Sequence, residues 1–171
     1  MQLAYATAVL ANDGIGYRPH LVKQVLRDAE HGPPAAASEV AIDLKLNPDH
    51  LALVKRAMVA VTQPGGTAAG ASAGVTYKYG GKTGTAQVIG MKQGEKYVES
   101  KIAERHRDHA WFIAFAPADK PRIALAVLAE NGGHGGSTAA PIARKVIDYY
   151  LLGKIPKPLQ DVKESPERED D

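Results

Sequence analysis

A segment near the middle of the sequence combines a lysine, hydroxyl side chains and glycines, and it reads Tyr79-Gly80-Gly81-Lys82-Thr83-Gly84-Thr85-Ala86-Gln87-Val88. If residues 82–88 are extended, side chains alternate between two faces. One face then carries Thr83, Thr85 and Gln87, and the other carries Lys82 and Gly84. An edge strand with an ammonium group, hydroxyls and free backbone groups suits an anionic, extended peptide. The spacing therefore predicts half of an active site, and the alternative is a plain strand whose lysine is solvated.

A nucleotide-binding P-loop is the competing interpretation of the same segment. Gly81-Lys82-Thr83 matches the end of the pattern G-x-x-x-x-G-K-[ST], but Thr76 stands where that pattern needs its first glycine. A P-loop must also open into a helix whose N-terminus meets the phosphates. Residues 85–90 instead have the character of a strand followed by a turn. Both observations argue against nucleotide binding.

Composition limits the classes of function. The chain has 171 residues and 44% hydrophobic content, enough for one core but too little for two sizeable domains. Its 21 basic and 19 acidic residues give a net charge of +2 with no clustered basic face, so we expect no nucleic-acid partner. Cysteine is absent, which excludes disulfides and thiolate metal sites. We find no membrane-length apolar stretch and no signal peptide, so the chain shows no targeting signal.

Histidines raise the question of a metal site. His106 and His109 stand three residues apart, a spacing that would place two imidazoles on one face of a helix. The segment, however, runs into a strand and offers no third ligand. His134 is interpreted as a loop residue of the glycine-rich turn at 130–136. We therefore expect no metal and no cofactor.

The pattern of elements predicts an α+β fold, with a mainly antiparallel sheet covered by helices on both faces. Residues 1–12 form a helix ended by Asp13-Gly14, and residues 17–26 a strand or two. Asn47-Pro48-Asp49 starts a second helix. The stripe that this helix buries is expected to consist of Leu51, Val54, Met58 and Val61. Residues 111–115 and 123–128 form a hairpin buried on both faces.

A last helix follows the hairpin, capped by Ser137-Thr138 and ended by Gly153. Its apolar side is expected to comprise Ile142, Val146, Ile147 and Tyr150. The polar stretch from 90 to 108 is either a functional flap or a solvated hairpin excursion. Residues 154–171 are proline-punctuated and acidic, which is typical of a disordered tail.

Five segments in fixed order carry a family resemblance: 2–6 (QLAYA), 16–20 (GYRPH), 82–85 (KTGT), 108–112 (DHAWF) and 139–142 (AAPI). Together they resemble the C-terminal half of the transpeptidase domain of class B penicillin-binding proteins, of the type that acts in rod-shape elongation. The resemblance runs from about residue 2 to residue 153. It implies a penicillin-binding, serine β-lactamase-like transpeptidase fold, with residues 1–153 as the C-terminal portion of that domain.

The family has three active-site motifs, and this sequence carries one of them. Ser-x-x-Lys holds the nucleophile, Ser-x-Asn follows it, and Lys-Thr-Gly is the third. No serine of this chain is followed by lysine three positions on or by asparagine two positions on. Acyl transfer by serine needs the nucleophile and the lysine that takes its proton. We therefore expect that the chain alone is catalytically inactive.

The resemblance implies roles for the matching residues. The Thr85 backbone N–H would be one of two oxyanion donors, and Lys82 would supply positive potential and bond the Ser-x-Asn serine. Hydroxyls of Thr83 and Thr85 would hold the carboxylate of a D-alanyl-D-alanine stem peptide or a β-lactam, with Gly84 allowing close approach. Gln87 would line the same cleft face.

Two functions stay open at this point. The chain is either the C-terminal portion of a peptidoglycan D,D-transpeptidase or a catalytically silent substrate-binding or interaction module. By resemblance, the partners are stem peptides, β-lactams, the N-terminal half of the domain and elongation-machinery proteins. The parent family is anchored in the inner membrane with its catalytic domain in the periplasm. An unpaired sheet edge and apolar faces predict aggregation, homo-oligomerisation or a covering partner chain.

Overall fold

The protein has three α-helices and five β-strands among residues 1–22, 39–90 and 102–155, the parts of the chain that the computed structural model describes. In chain order they are α1 (Gln2–Ala11), β1 (Ile15–Tyr17), β2 (Val40–Asp43), α2 (Pro48–Val61), β3 (Gly80–Ala86), β4 (His109–Ala116), β5 (Ile123–Ala129) and α3 (Ala139–Leu152). Short 3₁₀ turns span Ala69–Ser72 and Glu104–His106. Of the described helices, none combines the length and the apolar character needed to cross a bilayer.

The main sheet is antiparallel, in the order β3-β4-β5, with β4 in the centre. The apolar runs of β4 and β5 form the hairpin that the sequence predicts, because continuous Ile, Phe, Val and Leu suit a strand covered on both faces. A separate two-stranded sheet joins β1 to β2. The mixture of helices with an antiparallel sheet confirms the predicted α+β class.

Alternate residues of β4 face two different hydrophobic clusters. Ala110, Phe112 and Ala114 are fully buried in a cluster that also contains Ala143 and Ile147 of α3. On the opposite face, Ile113 and Phe115 pack against residues of α1 and α2, namely Leu10, Ala11 and Met58. Because strand side chains alternate with period 2, one strand anchors helices on both of its faces. Helices therefore cover the sheet on both sides, as expected.

Helix α2 begins where its sequence signals place it. The Asn47 side chain accepts hydrogen bonds from the backbone N–H groups of Asp49 and His50, which satisfies two donors of the first turn. Leu51 and Met58 are buried as predicted. Val54 is not, because 44% of it stays exposed. The buried stripe of α2 is therefore narrower than the predicted one.

Helix α3 buries a different side from the one the sequence analysis favours. Ile142, Val146 and Tyr150 are 43%, 44% and 50% exposed, and of the predicted set only Ile147 is buried. The buried side is lined by alanines instead: Ala139, Ala140 and Ala143. Because alanine side chains are small, α3 can lie close to β4. This close packing outweighs the larger apolar area that the aliphatic side would bury.

The helix ends also differ in part from expectation. Thr138 is the N-cap residue of α3, but its hydroxyl donates to the Gly132 carbonyl at 2.7 Å rather than accepting from the first turn. Gly153 ends the helix in a left-handed conformation with φ of 65°, as predicted. Gly14 ends α1 similarly, with φ of 87° and its N–H on the Val9 carbonyl.

Two strand predictions need correction. The strand expected over 17–26 lies earlier, at Ile15–Tyr17, residues 18–22 are not in a strand, and residues 23–26 lie outside the described residues. Strand β2 was not expected, because its four residues are all exposed and show no alternation. Most of the 90–108 stretch (91–101) and most of the predicted tail (156–171) also lie outside the described residues.

Candidate functional site

Strand β3 carries the candidate site on the edge of the described sheet. It starts and ends two residues earlier than the 82–88 strand expected, so Gln87 lies just past its end and is exposed. Thr83 pairs with Phe112 and Thr85 with Ala110, whose side chains belong to the α3-side cluster. The two hydroxyls therefore share the sheet face that α3 covers. Lys82 pairs with Ile113 and takes the opposite face, as the alternation predicts.

The Lys82 ammonium lies along the free edge of β3. Its Nζ donates to the Thr83 carbonyl oxygen at 2.6 Å, and the side chain is exposed. Because the N–H and C=O of one strand residue point to the same side, and residues two apart point the same way, Thr83 and Thr85 direct their backbone groups to a common edge. The Lys82 contact marks that edge as accessible.

A third threonine joins the site from the connection between α2 and β3. Thr67 Oγ1 lies 3.1 Å from Thr83 Oγ1. The connection is held in place by the Ala68 N–H on the Val61 carbonyl, at 2.9 Å, and by the buried Ala68 methyl. Sequence reasoning missed Thr67, because a lone threonine in a loop rich in glycine and alanine has no distinguishing spacing.

Glycines of the loop between β5 and α3, residues 130–138, pack directly on β3. A Cβ at Gly135 would overlap the Trp111 carbonyl oxygen and come within 2.6 Å of the Gly84 oxygen, and a Cβ at Gly136 would overlap the Thr67 carbonyl. A Cβ at Gly84 would meet the Trp111 Cβ at 3.2 Å. These backbones approach more closely than residues with side chains allow, so the loop is seated at the site.

A polar network fixes the α2–β3 connection to α3. Arg144 pairs with Asp148 at 2.8 Å, and its Nη1 donates to the carbonyls of Ala71 and Ala73, both at 3.2 Å. The Tyr77 hydroxyl donates to the other oxygen of Asp148 at 2.7 Å. The backbone that carries Thr67 is thereby tied to the helix that covers the sheet.

Ionisation within this network follows from its contacts. Burial alone would raise the pKa of Asp148, but hydrogen bonds from Arg144 and Tyr77, with the guanidinium charge, hold that pKa below its ordinary value. Burial, and then the hydrogen bond to the carboxylate, raise the pKa of Tyr77 far above the usual range for tyrosine. The network therefore favours a charged Arg144–Asp148 pair beside a neutral phenol.

The structure also describes the segments behind the P-loop and the histidine-pair interpretations. After Lys82 and Thr83 the backbone continues as a strand to Ala86 rather than opening into a helix, so the segment is no P-loop. His109 opens β4, and its Nδ1 accepts the Asn131 N–H at 2.9 Å. Within the described ranges, no group of three or more His, Cys, Asp or Glu side chains could hold a metal ion.

Lys82 and Thr85 are exposed and Thr83 is half-buried, so the site is open to solvent. Two cavities, of about 400 Å³ and about 410 Å³, lie elsewhere: one between α1 and β1, the other beneath the α2–β3 connection. Neither is lined by Lys82, Thr83 or Thr85. A ligand here would lie along the edge of β3.

Comparison with known proteins places this geometry in a family. Residues 1–148 match the family described as penicillin binding protein transpeptidase domain. The sequence is 44% identical over 164 residues to the peptidoglycan D,D-transpeptidase MrdA of Acinetobacter baumannii, covering 94% of this chain and 23% of that protein. The crystal structure of Pseudomonas aeruginosa PBP2 in complex with WCK 5153 matches with a TM-score of 0.66 at 36% identity, over 94% of this chain and 31% of that one.

A third relative is found in a protein complex. PBP2 of Helicobacter pylori, solved as a complex with MreC, matches with a TM-score of 0.59 at 26% identity, over 88% of this chain and 24% of that one. The chain thus spans between about a quarter and a third of the length of these relatives. It belongs to the penicillin-binding protein transpeptidase family and is similar to the PBP2 type.

Proposed function

We propose that this chain supplies the substrate-strand part of a peptidoglycan D,D-transpeptidase of the PBP2 type, with residues 1–153 forming the C-terminal portion of the transpeptidase domain. One observation carries the proposal. Lys82, Thr83, Gly84 and Thr85 lie on an edge strand, with the hydroxyls on one face and the ammonium along the accessible edge. Family membership supports it independently.

The ligand of this strand is a carboxylate-terminated peptide or a β-lactam. An extended peptide adds to the open edge of β3 through backbone hydrogen bonds. The hydroxyls of Thr83 and Thr85 donate to its carboxylate, and Lys82 adds positive potential. Gln87, just beyond the strand, contacts the ligand at the end of the same edge.

The Thr85 backbone N–H is the proposed oxyanion donor. Thr83 and Thr85 direct their backbone groups to the same edge of β3. Lys82 reaches the Thr83 carbonyl at this edge, and the shared direction therefore supports the assignment. A single donor is insufficient, since removing one donor from a complete oxyanion hole costs about 3–4 kcal/mol of barrier. The other donor belongs with the nucleophile, which this sequence does not contain.

Chemistry therefore requires a second segment with Ser-x-x-Lys and Ser-x-Asn. Its serine attacks the carbonyl of the terminal peptide bond or of the lactam, and its lysine takes the serine proton. The C–N bond then breaks and its nitrogen takes up a proton, so that D-alanine leaves or the lactam ring opens, and the acyl group stays on the serine as an ester. Lys82 then bonds the Ser-x-Asn serine across the junction. The parent enzyme works at the periplasmic face of the inner membrane, with elongation-machinery partners of the kind seen in the H. pylori complex with MreC.

Fluorescent penicillin tests this function. The chain alone is expected to take no covalent label. With a segment that carries the two other motifs, label is expected on the added segment and not on this chain, because the nucleophile resides there. The matched control is the same segment with its nucleophilic serine changed to alanine.

Two outcomes would contradict the proposal. Label on the chain alone would refute the argument from the missing nucleophile. Failure to label after the two pieces are shown to associate would favour the second candidate, a catalytically silent substrate-binding module.

A further inference from the structure

Thr67 and Thr83 bring two hydroxyls together from segments 16 residues apart, with 3.1 Å between the oxygens. Each hydroxyl has one proton and can both donate and accept. Only one of the two can donate across this contact. If Thr67 donates, Thr83 keeps its own proton for another acceptor.

The position of Thr67 is fixed by its neighbours. Next to it, Ala68 is buried and its N–H donates to the Val61 carbonyl at the end of α2. Gly136 lies so close to the Thr67 carbonyl that a Cβ there would overlap it. Further along, Arg144 holds the carbonyls of Ala71 and Ala73. The hydroxyl is thus presented to Thr83 by a backbone anchored to α2, to α3 and to the β5–α3 loop.

We propose that Thr67 is a positioning residue, which sets the Thr83 hydroxyl as a donor toward a carboxylate ligand bound along β3. For its ligand, this inference rests on the proposed function. A carboxylate has no proton, so Thr83 must donate to it, and Thr83 can then only accept from Thr67. Bonds in such a chain strengthen one another, and the ligand excludes the water that competes at these exposed hydroxyls.

The same logic predicts selectivity for the charged terminus. A C-terminal amide can donate as well as accept, so it does not force the Thr83 proton in one direction. It also lacks the negative charge that makes the hydrogen bond strong. Loss of the Thr67 hydroxyl is therefore expected to matter for a carboxylate peptide and little for its amide.

The test is a double-mutant cycle on the complete chain with an N-acyl-D-alanyl-D-alanine peptide. Thr67→Val removes the hydroxyl at nearly constant volume and is expected to weaken binding about threefold to tenfold. Thr67→Ser keeps the hydroxyl and restores affinity. In a Thr83→Val background, Thr67→Val is expected to cause no further loss of affinity. Thr76→Val, at an exposed position of the same connection, is the matched control.

Unchanged affinity in Thr67→Val would overturn the inference, and so would losses that add in the double variant. An equal loss for the amide peptide would also overturn it, because it would indicate a general disturbance of the site.

A ligand-free measurement separates this inference from the proposed function. Three-bond couplings of Thr83 are expected to report one side-chain rotamer in the native chain and in Thr67→Ser, and averaging in Thr67→Val. If the native chain binds no peptide, the proposed function fails, and the couplings still decide the role of Thr67. One unchanged rotamer in Thr67→Val would overturn that role.

Discussion

Lys82 is expected to supply the positive potential of the candidate site. Its ammonium lies at the Thr83 carbonyl, on the edge where the proposed carboxylate ligand would enter. Lys82→Met is expected to lower the affinity for an N-acyl-D-alanyl-D-alanine peptide by about tenfold, since hydrogen bonds to charged groups contribute about 1.5 kcal/mol or more. Isothermal titration at low and high salt measures both the affinity and its charge dependence.

The control for this change is Lys82→Arg, which keeps the charge. Its affinity is expected to fall with rising salt as in the native chain, whereas that of Lys82→Met should be nearly insensitive to salt. Equal salt dependence in all three proteins would show that the ammonium does not face the ligand.

Residue by residue, sequence reasoning located β3 better than its surroundings. The alternation of Thr83 and Thr85 against Lys82 followed from the period of a strand, which is local. Thr67 and Gly135 could not be found in the same way. They reach the site through the packing of the α2–β3 connection and the β5–α3 loop, and no local pattern encodes that packing.

At the scale of elements, the seating of the β5–α3 loop on β3 depends on Gly135. Gly135→Ala is expected to destabilise the protein by about 1–3 kcal/mol, because the added methyl overlaps backbone atoms of β3 and β4 that cannot move aside. Urea unfolding measures the change. Gly70→Ala is the matched control: nothing lies within 4 Å of its Cβ position, so stability should be unchanged or slightly raised. Equal effects of the two substitutions would contradict the close approach.

The link between α3 and the α2–β3 connection is tested through Asp148. Because the pKa of Asp148 is lowered by folding, its contribution to stability is complete above the pKa of the unfolded chain, about 4. The contribution is lost as the pH falls through the lower folded value. Asp148→Asn is expected to cost about 2 kcal/mol at neutral pH, since Arg144 loses its charged partner.

Urea titrations at neutral and acidic pH provide the measurement. Below the folded pKa of Asp148, the difference in the free energy of unfolding between the native chain and Asp148→Asn should narrow. Asp119→Asn changes an exposed carboxylate in the β4–β5 turn. It should alter the free energy of unfolding neither at neutral nor at acidic pH. A gap between the native chain and Asp148→Asn that stays constant with pH would contradict the assigned ion pair.

Among the elements, strong local signals predicted helix ends correctly, whereas the prediction that depended on tertiary packing failed. Asn47 and Pro48 fixed the start of α2, and Gly153 the end of α3, because caps and left-handed glycines act locally. The prediction of which side of α3 is buried was wrong. Either an aliphatic or an alanine stripe satisfies helical periodicity, and the flat Ala and Phe face of β4 selected the alanines.

For the whole molecule, apolar surface is expected to drive association. Ile142 and Val146 are exposed on α3, and in the described sheet β5 pairs on one side only. Sedimentation velocity is expected to show species larger than a monomer as concentration rises. Val146→Lys should shift the distribution of species toward monomer. Thr76→Lys adds the same charge at an exposed position outside α3 and should leave the distribution unchanged. A native chain that is monomeric at all concentrations would contradict the expectation.

The central claim is that the edge of β3 binds a carboxylate-terminated peptide, and chemical-shift mapping tests it most directly. Titration with N-acyl-D-alanyl-D-alanine is expected to give saturable shifts at the backbone amides of Lys82, Thr83, Gly84 and Thr85. The matching C-terminal amide should bind more weakly. Shifts that avoid β3, or equal binding of acid and amide, would contradict the claim.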